Sequence, residues 1–171
     1  MSEITLQQMY NKVREFHTAF GEDMPEKPTE LGIGKMVTNN WLIGSLHSLT
    51  QEIKAVNSQK FEDEQIGGKV GQRISFMLEE LTEFAAADDV VEQADALIDL
   101  IYFAIGTFTL IGVNPAPLFE IVHEANMGKV GPDGKVLRDS QGKIVKPAGW
   151  KERYAPEPRI RAEIERQAIR D

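Results

Sequence analysis

The chain predicts an all-α fold: a helical bundle of about five helices followed by a short hairpin-like C-terminal loop region. Three observations carry this. Apolar residues recur at three-and-four spacing through most of the chain up to Met127. Capping residues and glycine stops fall at the ends of those segments, and no strand-like alternation precedes Gly128. With 171 residues, 42% hydrophobic content and no low-complexity stretch to divide it, a single domain over residues 1–171 is expected.

Ser2 can cap a first helix running to Phe20, with Leu6, Met9, Tyr10, Val13, Phe16 and Phe20 as its core stripe and Gly21 as its stop. Pro25 and Pro28 make the following segment a loop. A second helix is read from Lys35 to Lys60, bent near Gly44, with Leu42, Leu46, Leu49, Ile53 and Val56 at heptad-like intervals. Residues 61–72, which include Gly67, Gly68 and Gly71, read as a turn. The third helix, 70–87, carries Ile74, Met77, Leu78, Leu81 and Ala85 on one side and Glu79, Glu80 and Glu83 on the other. Phe76 and Ala87 share the acidic side, so that side too should be enclosed.

Asp88 or Asp89 caps a fourth helix to Ile111, stopped by Gly112. Asn114-Pro115 opens a fifth, with Leu118, Ile121, Val122 and Ala125 facing inward. Beyond Gly128, the short runs Lys135–Arg138 and Lys143–Val145 flank Asp139-Ser140-Gln141-Gly142 and suggest a small hairpin or structured loop. Residues 156–170 read as a charged terminal helix with Ile160 and Ile164 on one side, frayed or docked on a partner subunit.

Composition removes several function classes. The 19 basic and 27 acidic residues give a formal net charge of −8, which argues against a nucleic-acid surface, since phosphate backbones demand clustered Lys and Arg. Without cysteine there is no disulfide, thiolate metal site or cysteine nucleophile. The N-terminus lacks a basic stretch leading into an apolar one, and Asp95 and Asp99 interrupt the apolar run from Ala94 to Val113, so a cytoplasmic protein without a membrane span is expected.

The chemistry is concentrated in two acidic clusters, Glu79-Glu80-x-x-Glu83 and Glu92-x-x-Asp95-x-x-x-Asp99. At about 100° per helical residue, Glu80 and Glu83 fall within about 60° of one another, and Asp95 within about 60° of both Glu92 and Asp99. An antiparallel hairpin would bring the two stripes together, and gathered carboxylates need protons or cations between them. Oxygen-only donors select a hard cation, Mg²⁺ or Mn²⁺. Asp99 lies within Ala96-Leu97-Ile98-Asp99-Leu100-Ile101-Tyr102-Phe103, where neither helix side looks water-facing. Glu92 has a structural alternative, because Asp89-x-x-Glu92 is a capping-box signature, and a cap is the preferred reading.

In this order, EExxE, then DALIDLIYFAIGT, then VHEANMGKVGPDGK with GKIVKPAGW, the chain resembles the all-α nucleoside triphosphate pyrophosphohydrolases. It looks most like the MazG-related and phosphoribosyl-ATP-pyrophosphohydrolase-like branch, whose kin include the dimeric dUTPases. The resemblance covers residues 70–152 well and Glu15 to Pro28 more loosely, and leaves 31–68 unaligned. It implies hydrolysis of a nucleoside triphosphate to monophosphate and pyrophosphate, a nucleotide-pool housecleaning role. Glu80, Glu83, Asp95 and Asp99 would hold Mg²⁺, and Glu79 would take the proton from the attacking water. Asn126, Lys129 and Lys146, with Arg138 as a further candidate, would contact phosphate or sugar from the substrate-proximal loop 128–152, while Trp150 would close over the substrate or anchor that loop, anchoring being the preferred reading. Phe16, His17 and Phe20 are base-pocket candidates by the same analogy. One departure matters: the family often places Glu three residues before the aspartate matching Asp99, and here that residue is Ala96, so Asp95 is the proposed substitute. A homodimer or higher homo-oligomer is implied, with the Leu42–Val56 stripe as its surface.

Two other readings remain. A di-iron bundle would use Glu120-x-x-His123 but needs a second such pair, and neither His17 nor His47 has glutamate three residues before it. A non-catalytic helical dimerisation or adaptor protein would leave the acidic stripes facing solvent.

Overall fold

The structure is a computed structural model that describes residues 4–32, 39–61, 64–65 and 68–169. Thr5 opens α1 (Leu6–Phe20): its hydroxyl accepts the Gln8 N–H while the Gln8 side chain accepts the Thr5 N–H, a reciprocal capping box. Ser2, the cap anticipated from the sequence, lies outside the described residues. Gly21 ends the helix at φ +74°, a left-handed conformation that costs glycine little, and its N–H returns to Thr18 and His17 carbonyls.

Two long helices follow, α2 (Asn39–Ser58) and α3 (Gly68–Ala86), joined by a two-rung antiparallel ladder between β1 (Lys60–Phe61) and β2 (Glu64–Gln65) where the sequence reads only a turn. Next comes α4 (Val90–Leu110), capped by Asp89, whose carboxylate accepts the Val91 and Glu92 N–H groups. Glu92 Oε2 in turn accepts the Asp88 N–H at 2.8 Å, so its role is at the cap. Asn114 Oδ1 accepts the Ala116 N–H at the head of α5 (Ala116–Met127). The C-terminal part holds α6 (Trp150–Tyr154), which the sequence reading missed, and α7 (Pro156–Ala168).

By their internal contacts the residues form two compact units, Glu26–Ile111 and the combination of Met1–Pro25 with Gly112–Asp171. In the first, α3 packs against both α2 and α4. The α2–α3 seam is tight where Asn57 lies against Gly71, since a Cβ on Gly71 would collide with the Asn57 amide. The α3–α4 seam is fastened by Arg73, whose Nε donates to Thr107 Oγ1 at 3.0 Å and Nη2 to the Phe103 carbonyl at 2.6 Å. Its guanidinium also lies over the Phe76 and Phe103 rings, themselves 5.3 Å apart. Buried Gln93 pairs through its amide with both the N–H and C=O of Leu31, 2.8 Å each, and so ties Leu31 to α4. Among the described helices, α4 alone is long and apolar enough to cross a membrane, a test that core helices of soluble proteins also pass.

In the second unit, α5 is the centre, packed by α1 and α7. Leu118, Ile121 and Ala125 of α5 are buried with Phe20 of α1, as their spacing predicts. Trp150 is 6% exposed and donates Nε1–H to the Ala125 carbonyl at 3.0 Å, the anchoring role anticipated for it. Gly128 makes room for Tyr154: a Cβ there would stand 2.5 Å from the ring. Between them, the Val130–Val136 and Arg138–Ile144 bridges and the Asp139 carboxylate, which accepts the Gln141 and Lys143 N–H groups, build the expected hairpin-like region.

Several expectations need correction. Leu6, Tyr10 and Val13 of α1 and Val122 of α5 are exposed, so much of the α1 stripe stays outside the core and Phe20 is its one buried member. The terminal helix docks within its own unit: Gln167 bonds both main-chain polar groups of Asn114, and Arg159 meets Glu124 at 2.6 Å.

Candidate active site

The two acidic clusters fall on α3 and α4, neighbours in the same unit. Arg73 and Phe76 contact α4, and Glu80 follows them at helical spacing, so Glu80 shares the α4-facing side. It is the buried member of the group, 9% exposed, and its Oε2 has no hydrogen-bond partner among the described residues. Burial, followed by the charges of Glu83, Asp99, Glu79 and Asp95, pushes the Glu80 carboxyl above the usual carboxylate range. All four other carboxylates of the predicted set thus act electrostatically on this one group, so the hairpin gathers both stripes.

The gathering differs from expectation in depth. Glu83, Asp95 and Asp99 are exposed, as are Leu97, Ile98 and Ile101 around Asp99. Asp99 is therefore more open than its apolar sequence neighbours suggest, because α4 presents only part of its circumference to α3. As the side chains stand, no three acidic or histidine groups among the described residues converge closely enough to hold an ion. The donor chemistry nevertheless fits a hard divalent cation: oxygen ligands only, a buried carboxylate oxygen lacking a partner, and a local excess of negative charge. Exposed Glu83, Asp95 and Asp99 can change rotamer at little cost.

Glu79 has a partner that sequence reasoning did not find. Lys54 of α2 forms an ion pair with its Oε1. No single-sequence signal marks this pair, which joins different helices 25 residues apart. Arg73 and Gln93 were missed for the same reason.

In the other unit, Asn126 Oδ1 accepts a 2.7 Å hydrogen bond from Lys129 Nζ, and Lys146 Nζ lies 3.9 Å from the centroid of the Trp150 ring. Burial, then the Lys146 charge, pushes the Lys129 ammonium below the usual lysine range, and neither lysine has a carboxylate partner among the described residues. Asn126, Lys129 and Lys146 are thus brought together as a small cationic group. Arg138 is instead spent on the carbonyls of Phe20 and Gly142, 3.0 Å each. Phe20 is core, stacked on Phe16 at 4.0 Å, with His17 5.8 Å from Phe16. Glu120 pairs with Lys12 at 2.9 Å, and buried His123 lies 3.9 Å from Glu15, so the Glu-x-x-His motif serves α1–α5 packing.

The profile of the phosphoribosyl-ATP pyrophosphohydrolase family matches residues 45–126, which takes in most of α2 and all of α3, α4 and both acidic clusters. A candidate NTP pyrophosphohydrolase from Exiguobacterium sp. 255-15, known from its crystal structure, is 30% identical, with 98% of each chain covered and a TM-score of 0.61. The chain belongs to the MazG-like NTP pyrophosphohydrolase superfamily. No curated protein matches it. For this pyrophosphohydrolase homologue the profile match begins inside α2, so the helix that the motif resemblance left unaligned belongs to the family region and carries Lys54 within it.

Proposed function

We propose that the protein hydrolyses a nucleoside triphosphate to the monophosphate and pyrophosphate, using Mg²⁺, or Mn²⁺ in its place. The reading draws on the family and, above all, on buried Glu80, whose oxygen lacks a partner among the described residues and whose carboxyl feels the charges of four further carboxylates. Glu80, Glu83, Asp95 and Asp99 would hold the metal. When bound, it neutralises phosphate charge and orients the reacting groups. Glu79 accepts a proton from the attacking water as the water oxygen bonds the α-phosphorus, the α–β anhydride bond breaks, and pyrophosphate leaves with that bridging oxygen. Asn126, Lys129 and Lys146 are assigned to anion binding, supported within their own unit by two ammonium groups without a carboxylate partner among the described residues.

The acting form is proposed to be a homodimer or higher homo-oligomer in the cytoplasm. Leu42, Leu49 and Val56 of α2, seven residues apart, are all exposed, as are Ile98, Ile101 and Ile105 of α4, and a second copy would cover such stripes.

A panel of ribo- and deoxynucleoside triphosphates with Mg²⁺ or Mn²⁺, scored for monophosphate and pyrophosphate, tests the reaction. Glu83→Gln and Asp99→Asn should each lower turnover by about a hundredfold or more with the fold retained. Unchanged turnover in both would show that the site is misassigned. The adaptor reading is favoured by the exposure of Glu83, Asp95 and Asp99. It predicts no pyrophosphate and no rise in melting temperature with either metal.

A further inference from the structure

We propose that Lys54 is a positioning residue for the reaction above: from α2 it holds the Glu79 carboxylate aside from the ligand set of Glu80, Glu83, Asp95 and Asp99. The inference rests on the proposed reaction and adds a residue outside the two acidic clusters. Among the described residues, the Lys54–Glu79 contact is the one ion pair made by any of the five carboxylates.

Helix geometry explains how adjacent glutamates serve different neighbours. Glu79 and Glu80 project about 100° apart around α3. Arg73 and Phe76 fix the Glu80 side against α4, while Lys54 draws Glu79 towards α2.

The lysine is itself held from both directions along α2. One turn earlier, Thr50 is buried and its hydroxyl donates to the Leu46 carbonyl. Close to one turn later, Asn57 lies against Gly71 of α3. The ammonium therefore starts from a backbone position set by packing.

Stability does not explain the pair. The side chains are 41% and 35% exposed, and ion pairs so placed contribute only about 0.2–1 kcal/mol. Its consequence is directional. Unpaired, Glu79 is a fifth carboxylate beside a site that already repels itself, free to swing into the metal shell and leave the water without its proton acceptor. Paired, it stays unliganded on one wall.

The test uses steady-state pyrophosphate release by the full chain, with Mg²⁺ and the nucleotide that the wild type hydrolyses best. Lys54→Met should lower kcat by about 10- to 100-fold. KM should stay within about threefold of the wild type. Lys54→Arg should recover most of the loss, and Lys54→Met should cost nothing further in a Glu79→Gln background, the non-additivity of residues that act as a unit. Lys54→Gln replaces Lys54→Met if melting shows the latter unfolded. An active wild type whose Lys54 variants keep full kcat, or lose it equally with and without Glu79, overturns this inference and leaves the reaction standing. A wild type that releases no pyrophosphate overturns both.

Discussion

Glu80→Gln should make the metal-free protein more stable while abolishing its response to metal. The wild-type carboxylate is buried, one of its oxygens lacks a partner, and four carboxylates repel its charge. A buried group left unsatisfied costs about 1–3 kcal/mol, so removing the charge should raise unfolding free energy by about that amount at neutral pH in chelator. The same origin fixes the pH dependence. Because the folded state raises the Glu80 carboxyl above its ordinary value of 4.5, it holds more protons than the unfolded state across the interval that begins there. Wild-type stability without metal therefore falls as pH rises through that interval, the penalty being absent below it and complete above the folded value. Glu80→Gln should flatten this component. Adding Mg²⁺ at about a hundredfold over its dissociation constant should return about 2.7 kcal/mol to the wild type and little to the variant. Urea unfolding monitored by circular dichroism, with chelator or Mg²⁺ and stepped through pH, reads all three. A Glu80→Gln protein less stable than wild type in chelator, or still stabilised by Mg²⁺, would refute the reasoning.

Other consequences are structural. Trp150→Ala should cost about 3–5 kcal/mol, because it empties a buried ring site and orphans the Ala125 carbonyl; urea unfolding measures it, and a loss below about 1 kcal/mol contradicts the anchoring role. Gly128→Ala should destabilise by about 1–3 kcal/mol, through collision with the Tyr154 ring rather than through backbone strain, and adding Tyr154→Ala should relieve that collision in a double-mutant cycle. Asp89→Ala should cost about 0.5–2 kcal/mol as two N–H groups of α4 lose their acceptor, read as a lowered urea midpoint with unchanged slope.

Much of this protein was legible one helix at a time. Periodicity and caps act within a single segment, so Gly21, Asp89 and Asn114 could be placed at helix ends from sequence, and the spacing of Glu79, Glu80, Glu83, Asp95 and Asp99 gave two stripes. Exposure was misjudged because apolar periodicity marks a face that some partner will cover without stating whether the partner is in the same chain: Leu6, Tyr10, Val13 and the surroundings of Asp99 remain open here. Tertiary structure alone decided the pairings between segments. It set Lys54 on Glu79, Arg73 on the Phe103 carbonyl and Thr107, Gln93 on Leu31, and Glu80 as the buried carboxylate. Each depends on helix rotation and register, which many side-chain contacts fix together and no local stretch of residues encodes.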